Sequence, residues 1–164
     1  MTIAVFPGSF DPITRGHLDV VRCARRFADE VVVAIAGNAG KTPLLPIETR
    51  LELAREAVLR LDGVTVEAVP GLLVEFCRTV GADLIVKGLR GGADYDAEMP
   101  MALMNRHLAG IETVFVIADP ALAHIASSLV RDVARNDGDI EDLVPQGVAA
   151  AVYRALGSAR ATKE

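Results

Sequence analysis

Five short apolar runs, at residues 2–6, 30–36, 64–69, 83–87 and 113–117, are rich in β-branched side chains and too short for helices. Helical periodicity fills the gaps between them. Leu18, Val21, Ala24 and Ala28 form one stripe; Leu51, Ala54, Val58 and Leu61 form a second, closed by Asp62-Gly63; residues 72–80 form a third, closed by Gly81. Parallel strands need long crossovers, and those crossovers are right-handed, so this alternation leaves few folds open. The expected architecture is α/β: a single-domain, doubly wound (Rossmann-like) five-stranded parallel sheet with helices on both faces. The run Val31-Val32-Val33-Ala34-Ile35 is continuously apolar, as a strand covered on both faces must be. Segments 127–135 and 145–156 continue as helices, joined by the polar stretch 136–142, and give a helical C-terminus. With 164 residues the chain reads as one domain over 1–157 followed by a frayed polar tail over 158–164.

In such a sheet the ligand crevice lies outside the carboxyl ends of the strands, where loops 7–16, 37–46, 88–96 and 118–126 should meet. The first of these is the richest in chemistry. It reads Ser9-Phe10-Asp11-Pro12-Ile13-Thr14-Arg15-Gly16-His17, after the turn Pro7-Gly8 and before a helix. A strand feeding a helix through a glycine-containing turn aims free N–H groups and the positive end of the helix dipole at the crevice, which suits a phosphate. Thr14 adds a hydroxyl, Gly16 a close backbone approach and His17 an imidazole donor. The plainer alternative, that His17 is a polar first-turn residue and Gly16 part of the turn, stays open on these residues alone.

The same edge should collect Lys41 from the glycine-bearing loop after the second strand, Lys87 at the end of the fourth, and Arg90 within Gly88-Leu89-Arg90-Gly91-Gly92. Each alone reads equally as a solvated loop cation, and the glycines as an ordinary turn, but three cations converging in an acidic protein are costly without an anion, and the glycines let backbone approach it. Ser127-Ser128 begin a helix, either as its N-cap or as further donors to a polyphosphate. Glu98 either accepts from a nucleotide or begins a solvated face. His107 and His124 do not cluster with His17 by local spacing and read as structural.

Composition narrows the function classes. Seventeen basic against 22 acidic residues give a net charge of -5, which argues against a general nucleic-acid coat. Cys23 and Cys77 have no metal or redox spacing and read as reduced core residues. With no HExxH, paired CxxC or carboxylate-rich loop, a divalent ion should arrive with phosphates. No signal peptide and no apolar run of membrane-spanning length are legible, so the expected location is cytoplasmic.

Thr14-Arg15-Gly16-His17 resembles the T/HxGH signature of the nucleotidyltransferase superfamily. Together with Phe6 to Ser9, Val86-Lys87-Gly88-Leu89-Arg90, Glu98-Met99, Met104-Asn105-Arg106-His107-Leu108 and Ile125-Ala126-Ser127-Ser128-Leu129-Val130, it resembles the bacterial phosphopantetheine adenylyltransferase family over residues 2 to 156. The resemblance implies transfer of the adenylyl group of ATP to 4'-phosphopantetheine, giving dephospho-coenzyme A and pyrophosphate, with Mg2+ assisting. It implies a homohexamer and coenzyme A as feedback inhibitor. By resemblance, Ser9, Lys41, Leu73 and Lys87 serve the pantetheine side. Ser9, Phe10, His17, Gly88, Leu89, Arg90, Glu98 and the segment Leu122, Ala123, His124, Ile125, Ala126, Ser127 and Ser128 serve ATP, with His17, Lys41 and Arg90 as the catalytic group. Ser9 stands where Thr is frequent, Lys87 where Arg is, and Ala126 at the first Ser of a frequent triplet. The alternatives are another small-molecule nucleotidyltransferase and a nucleotide-binding regulatory module without turnover.

Overall fold

The computed structural model describes residues 1–37, 40 and 42–162. Its five strands are β1 (Ile3–Gly8), β2 (Glu30–Ala36), β3 (Val64–Val69), β4 (Leu84–Leu89) and β5 (Glu112–Ile117). They form one all-parallel sheet in the order β3-β2-β1-β4-β5, the doubly wound arrangement expected from the sequence. The helices are α1 (Arg15–Ala24), α2 (Ile47–Val58), α3 (Leu73–Val80), α4 (Gly92–Ala109), α5 (Ser127–Arg135) and α6 (Val148–Leu156).

Two apolar layers flank the sheet. On one face Ala4, Phe6, Val31, Val33 and Ile35 pack with side chains from α1, α2, α5 and α6. On the other, Val5, Val32, Ala34 and Ile85 pack with Val74, Phe76 and Cys77 of α3. Alternation along β1 and β2 thus feeds both layers, which is why these strands are apolar at nearly every position. The burial of Cys77 agrees with its reading as a core residue, while Cys23 is half-buried.

Several boundaries differ from those the sequence suggests, each for a local reason. β1 runs on through Pro7 and Gly8, which pair with Ala34 and Ile35 instead of forming the turn. α1 stops at Ala24, and Ala28 reaches the core from the turn that follows. α2 begins at Ile47 directly after Pro46, a turn before its apolar stripe, because the inward position Arg50 is a buried cation that hydropathy hides. The expected loop 88–96 shrinks to Arg90 and Gly91: β4 ends at Leu89 and α4 starts at Gly92. Gly81 closes α3 as anticipated, in the left-handed conformation (φ 69°) that glycine adopts without cost.

Residues of the segment expected as a frayed tail make contacts with the rest of the chain. Ala159–Thr162 form a 3-10 turn, and Ser158 Oγ donates to Asp137 Oδ1 at 2.8 Å while Arg160 Nε donates to Asp137 O at 2.6 Å. No helix among the described residues is long and apolar enough to cross a membrane.

Candidate active site

In the observed strand order, β1 sends its chain to the α1 face and its neighbour β4 sends its chain to the α4 face. A crevice opens where the two connections part. Ser9, exposed, follows β1; His17 lies in the first turn of α1; Lys87 and Gly88 are near the carboxyl end of β4, and Arg90 follows it. The 118–126 connection joins this group, since a Cβ built on Gly16 would sit 3.6 Å from Ile125 O and 3.9 Å from Leu122 O. Asp19 of α1 pins the same connection by accepting the Asp119 N–H at 2.8 Å.

His17 is fixed by a reciprocal cap. The Thr14 N–H donates to its Nδ1 at 3.0 Å, and its own backbone N–H donates to Thr14 Oγ1 at 3.3 Å. Because Nδ1 accepts, the proton of the neutral ring resides on Nε2, which is therefore a donor. Burial, reinforced by the charges of Arg90 and Lys87, lowers the pKa of His17 to about 4. Phe10 packs edge-on against the ring, centroids 4.9 Å apart, and Phe6 against Phe10 at 5.3 Å. Phe10 adopts φ 45°, uncommon for an aromatic residue, and its ring is buried, so its side chain is a floor beneath His17. Thr14, expected to offer its hydroxyl to phosphate, is fully buried and uses that oxygen in the cap.

The cations carry partners that the sequence reading did not supply. Arg90 forms a forked ion pair with Asp94, Nε to Oδ2 and Nη2 to Oδ1, both 2.9 Å, and the Arg90 N–H also donates to Asp94 Oδ2 at 2.9 Å. These hydrogen bonds raise the Arg90 pKa and lower that of Asp94. Lys87 Nζ lies 3.0 Å from Glu98 Oε2 and donates to Pro7 O at 3.4 Å. Asp94 and Glu98 are one turn apart on α4, so one helical edge neutralises both cations. The cost of gathering positive charge here is thus met within the chain, and the argument that an anion must offset it is weakened to that extent. The spacings Arg90-x-x-x-Asp94 and Asp94-x-x-x-Glu98 were the available signal, obscured by reading 88–96 as loop.

Glycine roles also divide. A Cβ at Gly88 would fall 2.4 Å from Val20 Cγ2, so this glycine is required for α1 to pack on β4; Gly91 and Gly92 face open space. The N-cap of α5 is Ala126, with no side-chain cap, and Ser127 and Ser128 follow it inside the helix. Ser127 donates to Pro12 O at 2.9 Å, which commits its hydroxyl proton to the first loop. The uncapped first turn of α5 leaves backbone donors as its offering to a ligand. Leu73 opens α3 at the carboxyl end of β3, on the same sheet edge; Lys41 lies outside the described residues. His107 and His124 are both exposed and form no hydrogen bond or ion pair with His17 in the structure. Among the described residues, no group of three or more His, Cys, Asp or Glu gathers in a way that could hold a metal ion.

Residues 5–133 match the cytidylyltransferase-like family model. A phosphopantetheine adenylyltransferase from Bifidobacterium longum is 51% identical, covering 100% of both chains. Namesakes from Nocardioides sp. and Micrococcus luteus are 53% and 49% identical, covering 90% and 95% of this chain and 93% and 98% of their own. A solved Vibrio parahaemolyticus structure bearing the name nicotinate-nucleotide adenylyltransferase superposes with a TM-score of 0.65, over 94% of this chain and 96% of that one; at 17% identity it speaks for the fold alone. The chain belongs to the phosphopantetheine adenylyltransferases within the cytidylyltransferase-like nucleotidyltransferases.

Proposed function

We propose that this enzyme transfers the adenylyl group of ATP to 4'-phosphopantetheine, releasing pyrophosphate and forming dephospho-coenzyme A, the penultimate step of coenzyme A synthesis. The observation that carries the reading is the neutral, Nδ1-anchored His17 beside Lys87 and Arg90 at the β1/β4 switch point. No covalent enzyme intermediate is needed. A phosphate oxygen of phosphopantetheine attacks the α-phosphorus in line, forming one P–O bond as the bond from the α-phosphorus to the bridging oxygen breaks, and that electron pair leaves with pyrophosphate. His17 Nε2–H donates to the α-phosphoryl oxygen as it crowds and gains charge.

Lys87 and Lys41 hold the incoming phosphate, with Ser9 between the two substrates and Leu73 against the pantetheine arm. Arg90 takes the β- and γ-phosphates, exchanging Asp94 for phosphate oxygens of the same bidentate geometry. The first turn of α5, with Ser128 and the 122–126 segment, receives the rest of ATP through backbone donors. Phe10, its ring buried, contributes through its backbone; Gly88 and Leu89 line the same approach. Glu98, once Lys87 turns to phosphate, is the acceptor left on α4.

The described residues form no cage for Mg2+, so the donors that fit it are the triphosphate oxygens and water. When bound, it offsets charge on the leaving pyrophosphate. A cytoplasmic location suits these substrates, and coenzyme A, sharing the pantetheine arm, fits as a feedback inhibitor of the same crevice. A homohexamer accords with α4, where Met101, Leu103, Met104 and Leu108 are exposed, beside the edge strand β5. Sedimentation velocity tests the assembly: a monomer at micromolar concentration contradicts it. Competition between 4'-phosphopantetheine and nicotinamide mononucleotide as acceptors tests the substrate; adenylylation of the latter alone contradicts the assignment.

A further inference from the structure

Resting on that reading of the site, we infer that Asp11 is a positioning residue for the phosphopantetheine side, through its grip on the end of the β2–α2 loop. Asp11 is buried, yet both carboxylate oxygens are used: Oδ2 accepts the Leu44 N–H at 2.8 Å and Oδ1 the Leu45 N–H at 2.9 Å. These two amides lie between Pro43 and Pro46, outside any strand, and have no ladder to join. Two adjacent N–H donors call for an acceptor with two oxygens and no proton, which an ionised carboxylate is and an amide is not.

The grip is two-sided. Arg50, also buried, donates through Nε to Leu45 O at 3.1 Å and through Nη1 to Ser9 O at 2.7 Å. From α5, Arg131 donates to Asp11 O, and its Nη1 lies 3.8 Å from Oδ2. A carboxylate and a guanidinium withdrawn from water are expensive side chains for a simple loop anchor. Their placement gives them a further consequence. Ser9, which Arg50 holds, stands two residues before Asp11, and Lys41 three before Leu44. Asp11 therefore ties the turn that carries Ser9, the 44–45 segment leading into α2 and the helix that begins at Ser127 into one unit. Displacement of a binding group by about 1 Å can cost on the order of a hundredfold in rate, so such a tie bears on turnover.

The test is Asp11→Asn, which puts an NH2 group opposite one of the two amides. Steady-state kinetics with each substrate varied should show the KM for 4'-phosphopantetheine rising about tenfold, with the KM for ATP moving less than about twofold. Amide hydrogen exchange at Leu44 and Leu45 should quicken by more than about tenfold while β1 and β2 keep their protection. Faster exchange with both KM values unchanged would overturn the inference, leaving Asp11 a structural tie only. So would equal losses toward both substrates that track the fraction folded. If Asp11→Asn does not fold, Arg50→Lys, which keeps the charge but cannot reach Leu45 O and Ser9 O together, should show the same split at about threefold, and no split would refute the idea. Wild-type enzyme that fails to use phosphopantetheine would count against the proposed function, while the exchange result would still report on the tie.

Discussion

His17→Asn separates the two jobs of one imidazole. The asparagine Oδ1 takes the place of Nδ1 and can still accept the Thr14 N–H, now made at 3.0 Å, so the cap at the start of α1 survives. The donor at Nε2 is lost. Removing one such donor from a developing oxyanion costs about 10²–10³ in kcat. The same variant removes a titration. With a pKa of about 4 against an ordinary 6.5, the folded site refuses a proton that the unfolded chain accepts. Above pH 6.5 the ring is neutral in both states and imposes no penalty. As pH falls from 6.5 toward 4 the unfolded state binds more protons, and folding stability is lost, reaching about 3 kcal/mol at pH 4. Urea unfolding at pH 7 and pH 4 should therefore show wild type losing about 3 kcal/mol more than His17→Asn, the carboxylates common to both cancelling. Pyrophosphate release measures the kinetic half. Near-normal turnover would refute the donor role, and equal acid sensitivity of the two proteins would refute the neutral, half-buried ring.

The other predictions follow from contacts around the same crevice. Lys87→Ala should raise the phosphopantetheine KM by about tenfold or more and leave Glu98 without its cation, and unchanged saturation would remove Lys87 from that side. Lys41→Ala should weaken the same substrate, with isothermal titration as the check and unaltered affinity as the contrary result. Arg90→Ala should weaken ATP by about tenfold through loss of the forked phosphate contact, and unchanged ATP affinity would contradict it. Gly88→Ala places a methyl 2.4 Å from Val20 Cγ2 and should destabilise the fold by about 1–3 kcal/mol, visible as a lower urea midpoint; an unmoved midpoint would show that Val20 yields freely.

The sheet was legible because its strands are buried on both faces and so announce themselves as apolar runs such as Val31 to Ile35. The starts of helices that hide a charge or lack a core face were not. α2 conceals its first turn behind the buried Arg50, and α4 buries Asn105 while exposing Met101, Leu103 and Met104, so no apolar stripe marks its start at Gly92. In the site, the sequence placed His17, Ser9, Lys87 and Arg90 on one edge because strand ends converge wherever a sheet is parallel. It could not show what those groups already hold. The pairing of Arg90 with Asp94 and Lys87 with Glu98 depends on α4 being helical, and the grip of Asp11 on Leu44 and Leu45 joins residues more than thirty positions apart. The Thr14 hydroxyl, which the sequence offers to phosphate, is taken by the His17 cap, and Gly88 has a packing role against Val20 of α1 that its place in a glycine-rich loop does not reveal.

The central claim is most directly tested by pyrophosphate release from ATP and Mg2+ with and without 4'-phosphopantetheine, with nicotinamide mononucleotide and glycerol 3-phosphate offered as competing acceptors. The account predicts release only with phosphopantetheine, matched mole for mole by dephospho-coenzyme A. Release with another acceptor, or ATP binding with no release from any, would contradict it.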